Sequence, residues 1–210
     1  MNSRIRSFSC AGLAFGALSL AGCYSPGVEN PSGVPVVEMR PDERGFVAGT
    51  GVESQDLVAV TDKMARGILG VPEIAQAKTT PRIVLDPVIN ETRFPINKDI
   101  FNDRIVNQLM ERAGGKVRFL ARDRMKALER ENELKRSGQV TASSDPNVVE
   151  FRGADYFLTG KLQGLTTRTS QGTSDYVMYS FELIDARTSE IVWRGSSEIK
   201  KQGLEDAAYR

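Results

Sequence analysis

The sequence contains no histidine, and it has only two cysteines, Cys10 and Cys23, among its 210 residues. Histidine is the usual general base near neutral pH and the commonest metal ligand, so its absence excludes Ser-His-Asp and zinc-hydrolase chemistry. Because no cysteine follows residue 23, the rest of the chain has no thiol for a disulfide, a metal or a nucleophile. We therefore expect a core that is stabilised by packing alone.

The sequence also lacks the motifs that bind cofactors or perform acid-base chemistry. Gly49-Thr50-Gly51 has no third glycine of a dinucleotide-binding loop and follows no clear strand, so it is predicted to be linker. The carboxylates at predicted strand ends, such as Asp86 and Asp185, are isolated and are typical of turns. We predict no catalytic residues, no metal, no cofactor and no small-molecule substrate.

The chain begins with a pattern that is typical of export. Arg4 and Arg6 precede an apolar stretch over residues 8–20, which is shorter than the roughly 20 apolar residues needed to span a bilayer. The stretch ends at Leu20-Ala21-Gly22-Cys23, which resembles the lipobox of bacterial lipoproteins. We predict that residues 1–22 are a signal peptide and that Cys23 is lipidated after cleavage. The alternative is an ordinary secretory signal that ends beside a cysteine.

Lipid on Cys23 would anchor the chain, because two or three acyl chains hold a protein stably at a membrane where one does not. Tyr24 follows the cysteine, at the position where aspartate is the usual signal for retention in the inner membrane. The predicted location is therefore the periplasmic face of the outer membrane. Removal of Arg4 and Arg6 from the 28 basic residues leaves 26 against 27 acidic ones, a balance that gives no reason to predict nucleic-acid binding.

Residues 23–53 are predicted to be a flexible tether, and residues 54–210 a globular domain. Prolines and glycines recur through the tether, and no apolar period is sustained in it. They are Pro26, Pro31, Pro35, Pro41, Gly27, Gly33, Gly45, Gly49 and Gly51. A flexible coil of this length reaches roughly 30 Å on average and ~100 Å when fully stretched.

Apolar spacing predicts helices over about 54–69, 101–113 and 123–135, with a possible short one over 147–153. In the third of these, Met125 and Leu128 are the expected inward contacts. Gly70 and Pro72 are expected to end the first helix, and the Gly114-Gly115 pair to end the second.

Short apolar runs predict buried strands over 83–89 and 117–120, and alternation predicts strands over 156–162, 177–183 and 191–193. The polar stretch 166–174 is expected to be a mobile loop. The predicted fold class is α/β (α+β): a mixed central β-sheet with a C-terminal antiparallel meander, flanked by helices.

Four segments of the domain carry a resemblance. They are Ile83-Val84-Leu85-Asp86 with Asn90-Glu91-Thr92, Lys116-Val117-Arg118-Phe119-Leu120, Gly153-Ala154-Asp155-Tyr156-Phe157-Leu158-Thr159-Gly160, and Leu183-Ile184-Asp185-Ala186-Arg187-Thr188-Ser189-Glu190-Ile191-Val192-Trp193-Arg194-Gly195. Their order and spacing resemble the LpoB family, outer-membrane lipoproteins that activate a bifunctional class A penicillin-binding protein. The tether here is shorter than the long Pro-rich tether of that family.

The resemblance implies a non-enzymatic protein that hangs from the outer membrane, docks on a class A penicillin-binding protein and stimulates peptidoglycan synthesis. The chemistry would then belong to the partner. CsgG-like lipoproteins share this type of sheet, so a structural, assembly or secretion lipoprotein of the cell envelope is the alternative. That alternative predicts self-association and membrane insertion of amphipathic segments, for which residues 166–174 are short and polar.

The candidate partner-binding residues are Arg93, Phe94, Glu190 and Trp193. The first two are expected in an exposed loop after a strand, where partners are often recognised. Glu190 lies in a turn that matches the family's Thr-Gly-Glu-Ile phrase, with a serine in place of the glycine. Tryptophan is enriched at binding hot spots, but the place of Trp193 beside Ile191 on one face of a strand also favours a core position.

Overall fold

The computed structural model describes residues 36–45, 49–143, 145 and 150–203, so the predicted signal peptide and Cys23 lie outside the described residues. The elements follow in chain order. They are α1 (Ser54–Leu69), α2 (Pro72–Ala75), β1 (Arg82–Leu85), β2 (Ile89–Glu91), α3 (Asp99–Ala113), β3 (Arg118–Phe119), α4 (Met125–Arg136), β4 (Tyr156–Thr169), β5 (Gly172–Asp185) and β6 (Ile191–Gly203). A single 3₁₀ turn, Arg122–Arg124, precedes α4.

The strands form one mixed sheet with the order β3-β1-β4-β5-β6, and β2 also pairs with β4. β1 runs parallel to β3 and β4, and β2 runs parallel to β4. β4, β5 and β6 are antiparallel neighbours over most of their length. This arrangement confirms the predicted fold class, including the C-terminal meander.

The predicted strand over residues 83–89 is in fact two strands. β1 and β2 both pair with β4, but residues 86–88 between them belong to neither strand. Pro87 lies at the break, and proline has no N–H to donate to a neighbouring strand. The prediction of one continuous strand is therefore wrong at this point.

Helices α1 and α3 provide the apolar layer over the sheet. Both bury the residues that the helical spacing predicts, namely Leu57, Val60, Met64 and Ile68 of α1 and Phe101, Ile105 and Leu109 of α3. α3 ends at Gly114 and Gly115, whose φ angles of 54° and 83° lie in the region that favours glycine. The predicted stop is confirmed.

Alternate side chains of β4 and β5 complete the core beneath these helices. The inward residues are Leu158 and Leu162 of β4 and Val177, Tyr179, Phe181 and Leu183 of β5, and all are buried. The ring centroid of Phe101 lies 5.9 Å from that of Tyr179 and 6.5 Å from that of Phe181. Gly160 lies opposite Phe181, and a Cβ atom there would overlap the phenyl ring. Glycine is thus required at this position by close approach.

The polar stretch 166–174 is not a mobile loop. β4 and β5 stay paired as far as Thr169 and Gly172, so only Ser170 and Gln171 form the turn of a long hairpin. Threonine is β-branched and favours strands, so the Ser/Thr content of this stretch is compatible with pairing. The loop prediction is wrong because the β propensity of the threonines favours pairing although the stretch is polar.

Helix α4 buries none of its side chains. Leu128 is 44% exposed, so the prediction that it faces inward is wrong, while Met125 is half-buried. Of the predicted short helix over 147–153, residues 147–149 lie outside the described part of the chain, and residues 150–153 are not helical.

Candidate partner-binding surface

The meander has a second face whose side chains alternate with the core residues along β4, β5 and β6. We call it the open face. It consists of Ile89, Glu91, Thr159, Lys161, Gln163, Leu165, Tyr176, Met178, Ser180, Glu182, Ile191, Arg194, Ser196, Glu198 and Lys200. Every one of these side chains is at least partly exposed, and none belongs to the buried core.

A shallow groove of about 540 Å³ crosses the open face. Met178 and Ser180 of β5 lie along it, between Lys161 of β4 and Arg194 of β6. Ile89 of β2 lines it as well. The groove therefore combines a methionine and an isoleucine with three charged side chains, those of Lys161, Glu182 and Arg194, one from each strand of the meander.

The charged groups of the open face are paired with one another across strands. Lys161 Nζ lies 2.9 Å from a carboxylate oxygen of Glu91, and Gln163 donates to the other oxygen of Glu91 at 3.2 Å. The hydrogen bond from Lys161 lowers the pKa of Glu91 below its usual value. Glu182 and Arg194 form a second ion pair between β5 and β6. Exposed pairs of this kind add little to stability, so they are available to a partner.

Large apolar side chains also stand out from the open face. Ile89 is 51% exposed, Leu165 is 66% exposed and Ile191 is 49% exposed. Interfaces that form and dissociate typically mix such apolar contacts with polar and charged groups. The open face has this mixed character.

The loop that follows β2 does not present an aromatic ring to solvent. Phe94 is only 3% exposed and belongs to the core, so the prediction of an exposed aromatic is wrong. Asn90 shapes the loop, because its side chain accepts a hydrogen bond from the Thr92 N–H at 3.0 Å and donates to the Phe94 carbonyl at 2.8 Å. This local bonding of asparagine turns the chain back on itself and directs the ring inward.

Arg93 is held in a network around Asp175 of β5. Its guanidinium donates to both carboxylate oxygens of Asp175, at 3.0 and 2.6 Å, and lies 4.4 Å above the ring of Phe94. The hydroxyl groups of Thr50 and Thr166 donate to the same carboxylate, each at 2.5 Å. Arg93 thus has a structural partner in the domain, and its predicted role in partner binding stays a prediction.

Asp175 is 1% exposed, and burial by itself raises the pKa of its carboxyl. The hydrogen bonds from Arg93, Thr166 and Thr50, together with the charge of Arg93, outweigh burial and lower the pKa to about 2. A buried carboxylate with two well-placed hydroxyl donors and a bidentate arginine is stabilised in its charged form.

No sequence prediction concerned Asp175, although a signal for it exists. It is in register with Val177 and Tyr179, so it occupies an inward position of β5, where a carboxylate requires a partner. The assignment of residues 166–174 to a loop, and of the strand only from Val177, concealed this position.

Glu190 lies at the end of the sheet, in the exposed turn between β5 and β6. Asp185 organises this turn, because its carboxylate accepts hydrogen bonds from the backbone N–H groups of Arg187 and Thr188. Ser189 has a φ of 63°, the left-handed conformation that glycine adopts most readily. The serine therefore takes the conformation that favours the family's glycine, and Glu190 accepts a hydrogen bond from the Thr188 hydroxyl at 2.8 Å.

Trp193 lies on the core side of β6 and not on the open face. Its ring packs so closely against Gly67 of α1 that a Cβ there would come within 2.6 Å of it. A bulge in β6 places Trp193 opposite Leu183 and Ile191 opposite Ile184. The expectation that Ile191 and Trp193 share one face is wrong, because the bulge adds a residue between them.

Within the described residues, no three His, Cys, Asp or Glu side chains are close enough to hold a metal ion. No helix in that part of the chain is both long and apolar enough to cross a membrane.

A model of the family described as peptidoglycan-synthase activator LpoB matches residues 56–199. Among solved structures, the chain is similar to the LpoB C-terminal domain from Escherichia coli, with 18% identity, a TM-score of 0.40, and coverage of 70% of this chain and 99% of that one. The LpoB C-terminal domain from Salmonella enterica gives 15% identity, a TM-score of 0.40, and coverage of 66% and 96%. Lipoprotein GNA1162 from Neisseria meningitidis gives 16% identity, a TM-score of 0.33, and coverage of 61% and 88%. No curated protein sequence matches.

The match to the family model covers well over half of the chain and includes β1 to β5 in full and β6 as far as residue 199. It confirms the resemblance carried by the four sequence segments. The family is one of non-catalytic activators, and a peptidoglycan-synthase partner indicates a location in the cell envelope. The chain belongs to the LpoB family of peptidoglycan-synthase activators.

Proposed function

We propose that this protein is an outer-membrane lipoprotein that binds a bifunctional class A penicillin-binding protein and stimulates its peptidoglycan synthesis. Membership of the activator family over residues 56–199 is the observation that carries the proposal. Lipid on Cys23 would hold the chain at the periplasmic face of the outer membrane, and residues 23–53 would let the domain reach towards the synthase. No catalytic group is required of the domain, because the synthase supplies the chemistry.

Asp42, in the described part of the chain before α1, interacts electrostatically with the helical side of the domain. The hydrogen bond from Arg40 lowers the pKa of Asp42, and the positive charge of Arg104 on α3 lowers it further. Arg104 also donates to the Thr61 hydroxyl of α1 at 3.3 Å. The charge of Asp42 therefore interacts with that of Arg104 on α3.

We assign the docking of the synthase to the open face. Its outward charges are Glu91, Lys161, Glu182, Arg194, Glu198 and Lys200, three acidic and three basic. A complementary partner would place a basic side chain opposite each glutamate and an acidic side chain opposite each lysine or arginine. These charged pairs would surround apolar contacts to Ile89, Leu165 and Ile191. We propose a docking domain of the synthase with this chemistry as the occupant.

The test compares two arginines of equal exposure on opposite sides of the domain. Arg194 on the open face and Arg66 on α1 are both 61% exposed, and each forms an ion pair with a neighbouring carboxylate. The full chain is mixed with the class A penicillin-binding protein of the same organism, and both the affinity and the rate of glycan polymerisation are measured. We expect Arg194→Ala to weaken binding about tenfold, since arginines are frequent hot spots. Arg66→Ala is expected to change binding less than twofold.

Two results would contradict different parts of the proposal. If the wild-type chain neither binds nor stimulates any class A synthase of its host, the activator function is wrong. If it stimulates the synthase and Arg66→Ala is the damaging change, the function holds but the docking surface lies on the helical side. Strong self-association without synthase binding would instead favour an assembly lipoprotein.

A further inference from the structure

We propose that residues 49–53 form a clamp that transmits tension from the tether into the β-sheet, a role that rests on the proposed lipid anchor and synthase docking. A chain anchored at one end and docked at the other is pulled at the point where the tether joins the domain. The last five residues of the predicted tether occupy that junction. Two separate attachments hold them to the sheet.

The first attachment joins Thr50 to Asp175. The Thr50 hydroxyl donates to the Asp175 carboxylate at 2.5 Å, and the two residues are 3% and 1% exposed. Arg93 and Thr166 hold the same carboxylate from the other sides. The acceptor for Thr50 is therefore fixed in position by β4 and by the loop after β2.

The second attachment joins residues 51–56 to Lys201 of β6. The Lys201 ammonium donates to the Gly51 carbonyl at 2.9 Å and to the Asp56 carboxylate at 2.6 Å, and it lies 3.6 Å from a carboxylate oxygen of Glu53. The other carboxylate oxygen of Glu53 accepts from the Gly49 N–H at 2.6 Å. One lysine thus holds both the incoming backbone and the beginning of α1.

The two attachment points are direct cross-strand neighbours. Asp175 of β5 lies opposite Lys201 of β6 in the antiparallel register, so both point to the core side of the sheet. Opposite charges in such a pair stabilise the strands that carry them. The incoming chain is therefore bound to two adjacent strands, and β5 is paired on both sides along most of its length.

This geometry determines which element is pulled. Without the clamp, tension would act on the N-terminus of α1, and helix ends fray because their first N–H groups have no intrahelical partner. With the clamp, tension acts first on Asp175 and Lys201. Their strands are extended and hydrogen-bonded side by side, so many backbone bonds share the load.

Amide hydrogen exchange on the full chain tests the attachment itself, with Thr50→Val as the main variant. Valine keeps the shape of threonine and removes only the hydroxyl, so the Arg93–Asp175 pair is retained. We expect exchange over residues 49–53 to become about tenfold faster, with residues 162–177 unchanged. Thr167→Val, at an exposed position of the hairpin, is the matched control and should leave both segments as in the wild type. Exchange over 49–53 within twofold of the wild type would overturn the clamp.

Force spectroscopy tests the mechanical role. The unlipidated full chain with Cys10→Ser is pulled between Cys23 and a second handle introduced by Arg187→Cys in the β5–β6 turn. We expect the Thr50→Val chain to show a separate extension step, as residues 49–53 detach. This step should occur at a lower force than in the wild type and in the Thr167→Val control. Faster exchange with an unchanged force response would overturn the mechanical role. Neither experiment contains the synthase. A negative result would therefore overturn the clamp without contradicting the activator function.

Discussion

Asp175 and Glu182 are both carboxylates of β5, and each pairs with an arginine, but they point to opposite faces of the sheet. The Asp175 side chain is 1% exposed and its partner Arg93 is 30% exposed, whereas Glu182 is 24% and Arg194 61% exposed. Breaking a buried pair leaves an uncompensated charge, while an exposed pair is exchanged for water at little cost. The same chemistry therefore serves stability on the core face and remains available for recognition on the open face.

Two leucines of β4 give the strongest test of the difference between the core face and the open face. Leu162 is fully buried on the core face, and Leu165, three residues later, is 66% exposed on the open face. We expect Leu162→Ala to lower the free energy of unfolding by about 2–5 kcal/mol, because it removes buried methyl groups and leaves a cavity. Leu165→Ala should change it by less than about 0.5 kcal/mol. Urea denaturation of both variants measures the difference, and equal losses would show that the faces are not distinct.

Protonation of Asp175 at low pH should lower the stability of the folded domain. Because its folded-state pKa is lowered from 3.8 to about 2, the ionised carboxylate contributes stability above pH 4. That contribution, about 2 kcal/mol, is lost as the pH falls from about 4 to 2. Unfolding midpoints measured from pH 5 to pH 2 should show this loss in the wild type and in Glu182→Gln. In Asp175→Asn the loss should be absent, with lower stability at neutral pH. An unchanged acid dependence in Asp175→Asn would contradict the assignment.

The smallest effect is expected in the turn that ends the open face. Ser189 adopts a φ of 63°, which costs a non-glycine residue roughly 1–2 kcal/mol. Ser189→Gly removes this cost but adds freedom to the unfolded chain, so a net gain of about 0.5 kcal/mol is expected. Ser196→Gly in the extended strand β6 should instead lower stability by about 0.5–1 kcal/mol. Thermal denaturation that ranks the two variants in the other order would show that the turn is not strained.

Much of the core was predictable because the two main periodicities of the chain are clear. The spacing of Leu57, Val60 and Met64 on α1 and the alternation from Val177 to Leu183 on β5 each place apolar groups on one side, and burial follows. The open face was predictable only as the polar half of those alternating strands. Nothing in one strand by itself indicates which exposed residues will meet across three strands.

The errors at Phe94 and Trp193 share a physical cause, which is that local patterns carry no information about neighbours in space. Phe94 was expected in solvent because it follows a strand in a loop, but the side chain of Asn90 turns that loop inward. Trp193 and Ile191 are two residues apart and were expected on one face, but a bulge opposite Leu183 and Ile184 separates them. A single inserted residue reverses every side chain that follows.

The sequence by itself determined the fold class, the helices α1 and α3, the meander and the family, because these depend on periodicity and on segments that are contiguous in the chain. Only the tertiary structure decided that Thr50, Arg93, Thr166 and Asp175 meet around one buried carboxylate. These four residues come from four separate segments, and hydrogen bonds form between groups that are close in space. The pairing of charges, and with it the difference between the buried and the exposed face, is therefore a property of the folded sheet.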